Sequence, residues 1–171
     1  NCYNTGKVTG RNDAGGVCGY NAGPVTNCYY LAGTANSGIG EDYNSGEATA
    51  KTADEFQSGA VAYLLQGEQA EQVWGQNLTF APKDTYPVLG GLKVVQNGDG
   101  SYANELKQDG DFYLISTADE LRLFASMVNS GNPGISAKLT ADILLNDISD
   151  WENWNESTER LNSWTPIGSG S

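Results

Sequence analysis

The triplet Asn1-Cys2-Tyr3 returns as Asn27-Cys28-Tyr29, a spacing of 26 residues, and Val8-Thr9 is echoed by Val25-Thr26. Self-similarity at this period marks stacked supersecondary units, each of which buries its apolar face only against a neighbour. Between the two triplets lies Gly15-Gly16-Val17-Cys18-Gly19-Tyr20-Asn21. The apolar pulses here (Cys2-Tyr3, Lys7-Val8-Thr9, Val17-Cys18 and the stretch from Val25 to Cys28) are each closed by Gly or Asn. Such short strands between Gly/Asn corners suit the coils of a β-solenoid better than a hairpin sheet. The expected fold class is therefore mainly β, with Cys, Val and Tyr stacking on their equivalents in the next repeat.

Composition supports that reading. The chain has 22 glycines but only 5 prolines among 171 residues, a pattern of many tight turns between short strands. Its 10% aromatic content argues against disorder. With 9 basic and 21 acidic residues the formal charge is −12, which repels phosphate backbones and anionic lipid surfaces. No apolar run approaches the roughly 20 residues that span a bilayer. Histidine is absent, which removes Ser-His-Asp and Cys-His catalysis and the commonest zinc ligand. The three cysteines Cys2, Cys18 and Cys28 are an odd number, so a complete disulfide framework is excluded. One disulfide is compatible with that number, but three thiols packed in a repeat core are the expected arrangement.

The run Asn1-Cys2-Tyr3-Asn4-Thr5-Gly6, then Gly15-Gly16-Val17-Cys18-Gly19, then Asn27-Cys28-Tyr29-Tyr30 resembles the glycine-rich GLUG-type repeats of bacterial surface proteins. The resemblance covers about the first 40 residues. It implies a right-handed parallel β-helix in a secreted or wall-anchored protein at the bacterial cell surface. The abrupt start at Asn1 fits an excised fragment whose export signal or wall anchor lies elsewhere.

Further on, Thr52-Ala53-Asp54-Glu55 is a capping box, and Phe56, Ala60, Val61 and Leu64 share one face of a helix expected over residues 53–65. The same Thr-Ala-Asp-Glu recurs at Thr117–Glu120, ahead of a helix ending near Asn129. These are the two short capping α-helices of the expected fold. The string from Phe56-Gln57-Ser58-Gly59 through Val73-Trp74-Gly75-Gln76 to Tyr86-Pro87-Val88-Leu89 resembles the segment that closes GLUG arrays. From Phe112-Tyr113-Leu114-Ile115 to Trp164-Thr165-Pro166-Ile167-Gly168, the order of motifs resembles the opening module of another surface β-helix. The expected organisation is solenoid rungs over residues 1–50, a capping helix and closing strands over 51–95, a linker over 96–110, and a second solenoid's opening module over 111–171.

Two groups of residues are candidates for ligands. Asp142, Asp147, Asp150 and Glu152, with Asn146, concentrate oxygen ligands of the kind calcium takes, although the EF-hand spacing is not met. Among the aromatics Tyr29, Tyr30, Tyr43, Trp74, Tyr86, Trp151, Trp154 and Trp164, the candidates for stacking on a sugar are Trp151 and Trp154, which lie in a polar loop, and Tyr30. The others read as core. No acid pair stands out as a glycosidase pair. The expected function is a non-catalytic stalk or adhesive module, with neighbouring repeats, other copies of the same protein, glycans or proteins as partners. The alternatives are a segment of a polysaccharide-acting β-helix enzyme and a filament subunit stacked head to tail through open solenoid ends.

Overall fold

A computed structural model describes residues 1–146, 148–149, 151–154 and 164–168. The chain divides into two compact units, Asn1–Asn104 and Glu105–Ser171.

The first unit opens with five short strands: β1 (Cys2–Asn4), β2 (Cys18–Asn21), β3 (Cys28–Leu31), β4 (Ile39–Asp42) and β5 (Ala48–Lys51). They form two parallel sheets, β1-β3-β5 and β2-β4. The 26-residue echo reappears as strand register, with Cys2 opposite Cys28 and Tyr3 opposite Tyr29. Helices α1 (Ala53–Gln57) and α2 (Ala60–Gln66) follow, and then two antiparallel pairs: β6 (Trp74–Gly75) with β7 (Val88–Leu89), and β8 (Val94–Gln96) with β9 (Tyr102–Asn104).

This arrangement overturns the expected right-handed parallel β-helix. Among the described residues there are separate sheets of two or three strands and a few short helices, with no solenoid evident. The physical reason is that the repeat does not propagate. In the first unit parallel pairing ends at β5, after which the chain passes into helices and antiparallel pairs. Head-to-tail stacking of open solenoid ends loses its structural basis with it.

The single helix expected over residues 53–65 is two. Thr52 caps α1 as its motif requires: its hydroxyl accepts from the Glu55 N–H, and the Glu55 carboxylate accepts from the Thr52 N–H. That N–H, followed by the Lys51 ammonium, holds the Glu55 carboxyl below its ordinary value. The helix then breaks at Gly59, whose φ of +91° is open to glycine and costly for other residues. A Cβ at Gly59 would lie 2.6 Å from Leu78 Cδ1, so the backbone angle favours glycine and the leucine end would have to shift for any larger residue.

The break turns α2 so that Val61 and Leu65 join Phe56 in a fully buried cluster, against which Tyr3, Tyr29, Leu31, Trp74 and Tyr86 pack. The Tyr3 ring lies 5.6 Å from Phe56 and 5.8 Å from Trp74, and its hydroxyl donates to the Pro87 carbonyl at 2.8 Å. Gln76, also fully buried, donates through Nε2 to the carbonyls of Phe56 and Asp84. One aromatic seam thereby joins β1, α1 and the β6-β7 region.

In the second unit, β10 (Gln108–Asp109) pairs antiparallel with β11 (Phe112–Ile115), and β11 pairs parallel with β12 (Ser136–Leu139). Helix α3 (Ala118–Asn129) connects the two parallel strands, as parallel neighbours require. This is a small βαβ unit in place of the expected solenoid opening. Thr117 and Glu120 complete the second capping box, and Leu123, Phe124 and Ala125 are buried. Asn129 fastens the Trp164-Thr165-Pro166-Ile167-Gly168 segment: it donates to the Pro166 carbonyl and accepts from the Gly168 N–H. Among the described residues, no helix is long and apolar enough to cross a membrane.

Gly59→Ala is expected to destabilise the protein by about 1–3 kcal/mol, because it combines a strained φ with a close contact. Gly23→Ala, with nothing within 4 Å of the new methyl group, should stay within about 0.5 kcal/mol of the parent. Urea unfolding of the two variants measures both. Equal stabilities would show that the break between α1 and α2 does not depend on glycine.

Candidate functional site

The β2-β4 sheet builds the most exposed aromatic surface of the first unit. Its parallel register sets Tyr20 opposite Glu41 and Asn21 opposite Asp42. The Tyr43 N–H donates to the Asn21 carbonyl and continues the ladder by one residue. Side chains on a strand alternate between faces, so Glu41 and Tyr43, two residues apart, project to the same side as Tyr20. The two rings lie 5.3 Å apart, inclined by 40°. They remain open to solvent, Tyr20 at 58% and Tyr43 at 66% exposure.

Glycines beneath the strands set this surface. A Cβ at Gly40 would lie 2.2 Å from the Asp13 carbonyl carbon, and one at Gly15 would lie 2.1 Å from the Cys18 carbonyl oxygen. Backbone therefore packs on backbone here, with Asp13 itself in the left-handed region at φ +51°.

Asp42 and Asn21 shape the adjoining turn. Asn21, only 2% exposed, donates through Nδ2 to Asp42 Oδ1 at 2.7 Å and accepts from the Gly23 N–H through Oδ1. The Asp42 carboxylate also accepts the N–H groups of Asn44 and Gly46. The Asn44 N–H, and after it the Asn21 amide, hold the Asp42 carboxyl below its ordinary value. Asp42 is thus committed to the turn. Glu41, half-buried beside the rings, accepts the Tyr43 hydroxyl through Oε1. That hydrogen bond, ahead of partial burial and the nearby Asp13 charge, raises the Tyr43 phenol and keeps it protonated. The result is a firm surface with two aromatic faces, two hydroxyls and one carboxylate oxygen.

The candidates read from sequence fall elsewhere. Tyr30 is 8% exposed, and the Gly16 backbone packs on its ring, so that ring offers no face to a ligand. Trp151 begins a 3-10 turn (Trp151–Asn153) at 62% exposure, whereas Trp154 is half-buried. Asp142 and Glu152 are exposed, while Asp147 and Asp150 lie outside the described residues. Among the described residues, no three His, Cys, Asp or Glu side chains converge on a metal position. Tyr29, Trp74 and Tyr86 pack against the core, as expected of them, whereas Tyr43, read as core with them, is exposed. Tyr20 escapes the sequence reading because its run resembles a packing repeat. Its one signal is that it and Tyr43 both follow a glycine within a few residues and precede a polar turn.

A surface cavity of about 190 Å³ lies between the segments 7–10 and 33–36. Pockets for drug-sized ligands begin at about 300 Å³, so the open tyrosine face is the stronger candidate. The chain matches no protein-family model, no curated protein and no solved structure.

The Asp42 turn carries a defined pH dependence. Its folded pKa lies below the ordinary 3.8, so its contribution to stability is complete above that value and is lost as pH falls through the lower folded one. The amide resonances of Asn44 and Gly46 are expected to titrate together, with a midpoint below 3.8. Amides that stay still throughout acidification would show that the carboxylate is not their acceptor.

Proposed function

We propose that this chain is a non-catalytic adhesive module of a secreted or wall-anchored bacterial surface protein, and that the Tyr20–Tyr43 face binds neutral carbohydrate. The observation that carries the reading is the exposed ring pair, 5.3 Å apart, flanked by a carboxylate oxygen. Tyrosine supplies a large, stiff, amphipathic contact area at low conformational cost. Ring faces pack on the apolar C–H face of a sugar, while the Tyr20 hydroxyl and Glu41 Oε2 suit its hydroxyl groups. The preformed turn lowers the cost of ordering the site on binding. The formal charge of −12 favours an uncharged glycan over an anionic one. Placement at the bacterial surface rests on the resemblance of the first 40 residues to GLUG-type repeats.

Calorimetric titration with neutral gluco- and galacto-oligosaccharides tests this. Tyr20→Ala and Tyr43→Ala are each expected to weaken binding at least about tenfold, ~1.4 kcal/mol, with melting temperatures retained. Tyr63→Ala, an exposed tyrosine on α2, should bind like the parent. Affinity should vary little between roughly 0.05 and 0.5 M salt, since no charge pairing is involved. Undiminished binding after both ring deletions, or no binding by the parent chain, would sink the reading.

A further inference from the structure

We propose that Cys2 and Cys28 are a disulfide-forming pair that staples β1 to β3, and that Cys18 stays outside it. The two residues sit directly opposite each other in the parallel register of β1 and β3. Strands pair about 4.8 Å apart, which falls within the Cα separation of about 4.4–6.8 Å that a disulfide spans. The sulfurs already face each other at 3.5 Å, with the Cys2 thiol donating to Cys28 Sγ. The Cys28 thiol in turn donates to the Thr26 carbonyl at 3.1 Å. A disulfide needs the sulfurs to close by a further ~1.5 Å, to the bond length of about 2.05 Å. Cys18 lies on β2, in a different sheet, and its thiol donates to the Tyr20 carbonyl.

The two thiols differ in access, which sets the order of events. Cys2 is exposed and Cys28 buried, so an external oxidant meets Cys2 first. With a small-molecule disulfide as oxidant, the Cys2 thiolate attacks one of its sulfurs, forms a mixed disulfide and expels one thiolate. The Cys28 thiolate then attacks the Cys2 sulfur and expels the second. The two cysteines lose two electrons and two protons. Both appear on the small molecule, which leaves as two thiols. Partial burial of the Cys2 sulfur, and then its hydrogen bond with Cys28, push the Cys2 thiol up, so exchange should quicken as pH rises. The cross-link would close the loop between the two Asn-Cys-Tyr triplets.

Oxidised glutathione at mildly alkaline pH, applied to the full chain, is the test. The expected product is a monomer lighter by two hydrogens, with one titratable thiol left of three. Cys18→Ser should give the same loss of two hydrogens. Cys28→Ser should stop at a glutathione adduct on Cys2. Fragmentation of the oxidised parent should place the link between Cys2 and Cys28, and its melting temperature should rise by roughly 5–10 °C, reversibly with dithiothreitol. Three surviving thiols, a link to Cys18, disulfide-joined dimers, or a stable glutathione adduct on the parent would each overturn the proposal.

Discussion

The first unit depends on the contact between Tyr3 and Phe56. Tyr3 comes from the opening strand and Phe56 from a helix more than 50 residues later, and no local hydrogen bond joins the two segments. Tyr3 also meets Trp74 and Tyr86 and donates its hydroxyl to the Pro87 carbonyl. Aromatic pairs of this kind add about 0.5–1.5 kcal/mol each beyond the area they bury. Burial raises the Tyr3 phenol, as expected of a ring that has left water while its hydroxyl keeps a carbonyl partner. Around this seam the repeat strands, the two helices and the β6-β7 pair become one core.

A second constraint works at the opposite scale. At Gly15, Gly19 and Gly40 the backbone approaches other backbone more closely than a methyl group would allow. That packing holds the β2-β4 sheet from beneath with no large side chain. The tyrosines above it are consequently free of the core and point outward as a pair. Asp42 and Asn21 direct their hydrogen bonds into the turn, whereas Glu41 accepts the Tyr43 hydroxyl. Division of labour between adjacent acids is set by which of them meets backbone N–H groups.

Sequence patterns spoke most clearly where structure is local. Both Thr-Ala-Asp-Glu motifs form the reciprocal hydrogen bonds that their spacing implies, because four consecutive residues contain every atom involved. The one helix expected over residues 53–65 is two, because Gly59 adopts a φ of +91° between them. The Asn-Cys-Tyr echo correctly paired Cys2 with Cys28, and it misled when extended to a superhelix. Pairing needs one neighbour, whereas a solenoid needs each repeat to recruit the next, and after Lys51 the chain recruits helices instead. Tyr30 and Tyr20 show the same limit at the site, since each lies two residues after a cysteine and two before an alanine, yet one is buried and the other exposed.

By itself, then, the sequence determined the capped helix starts, the short Gly/Asn-bounded strands, the register of the repeated triplets and the acidic surface. All of these follow from residues close in the chain or from composition. Only the tertiary structure decided that the sheets stay small and separate, that Tyr30 is core while Tyr20 and Tyr43 form a face, and that Cys2 is exposed while Cys28 is buried. Those outcomes depend on which strand lies beside which and on where backbone packs against glycine. Such long-range choices are made by the burial of the whole core, and no local pattern encodes them.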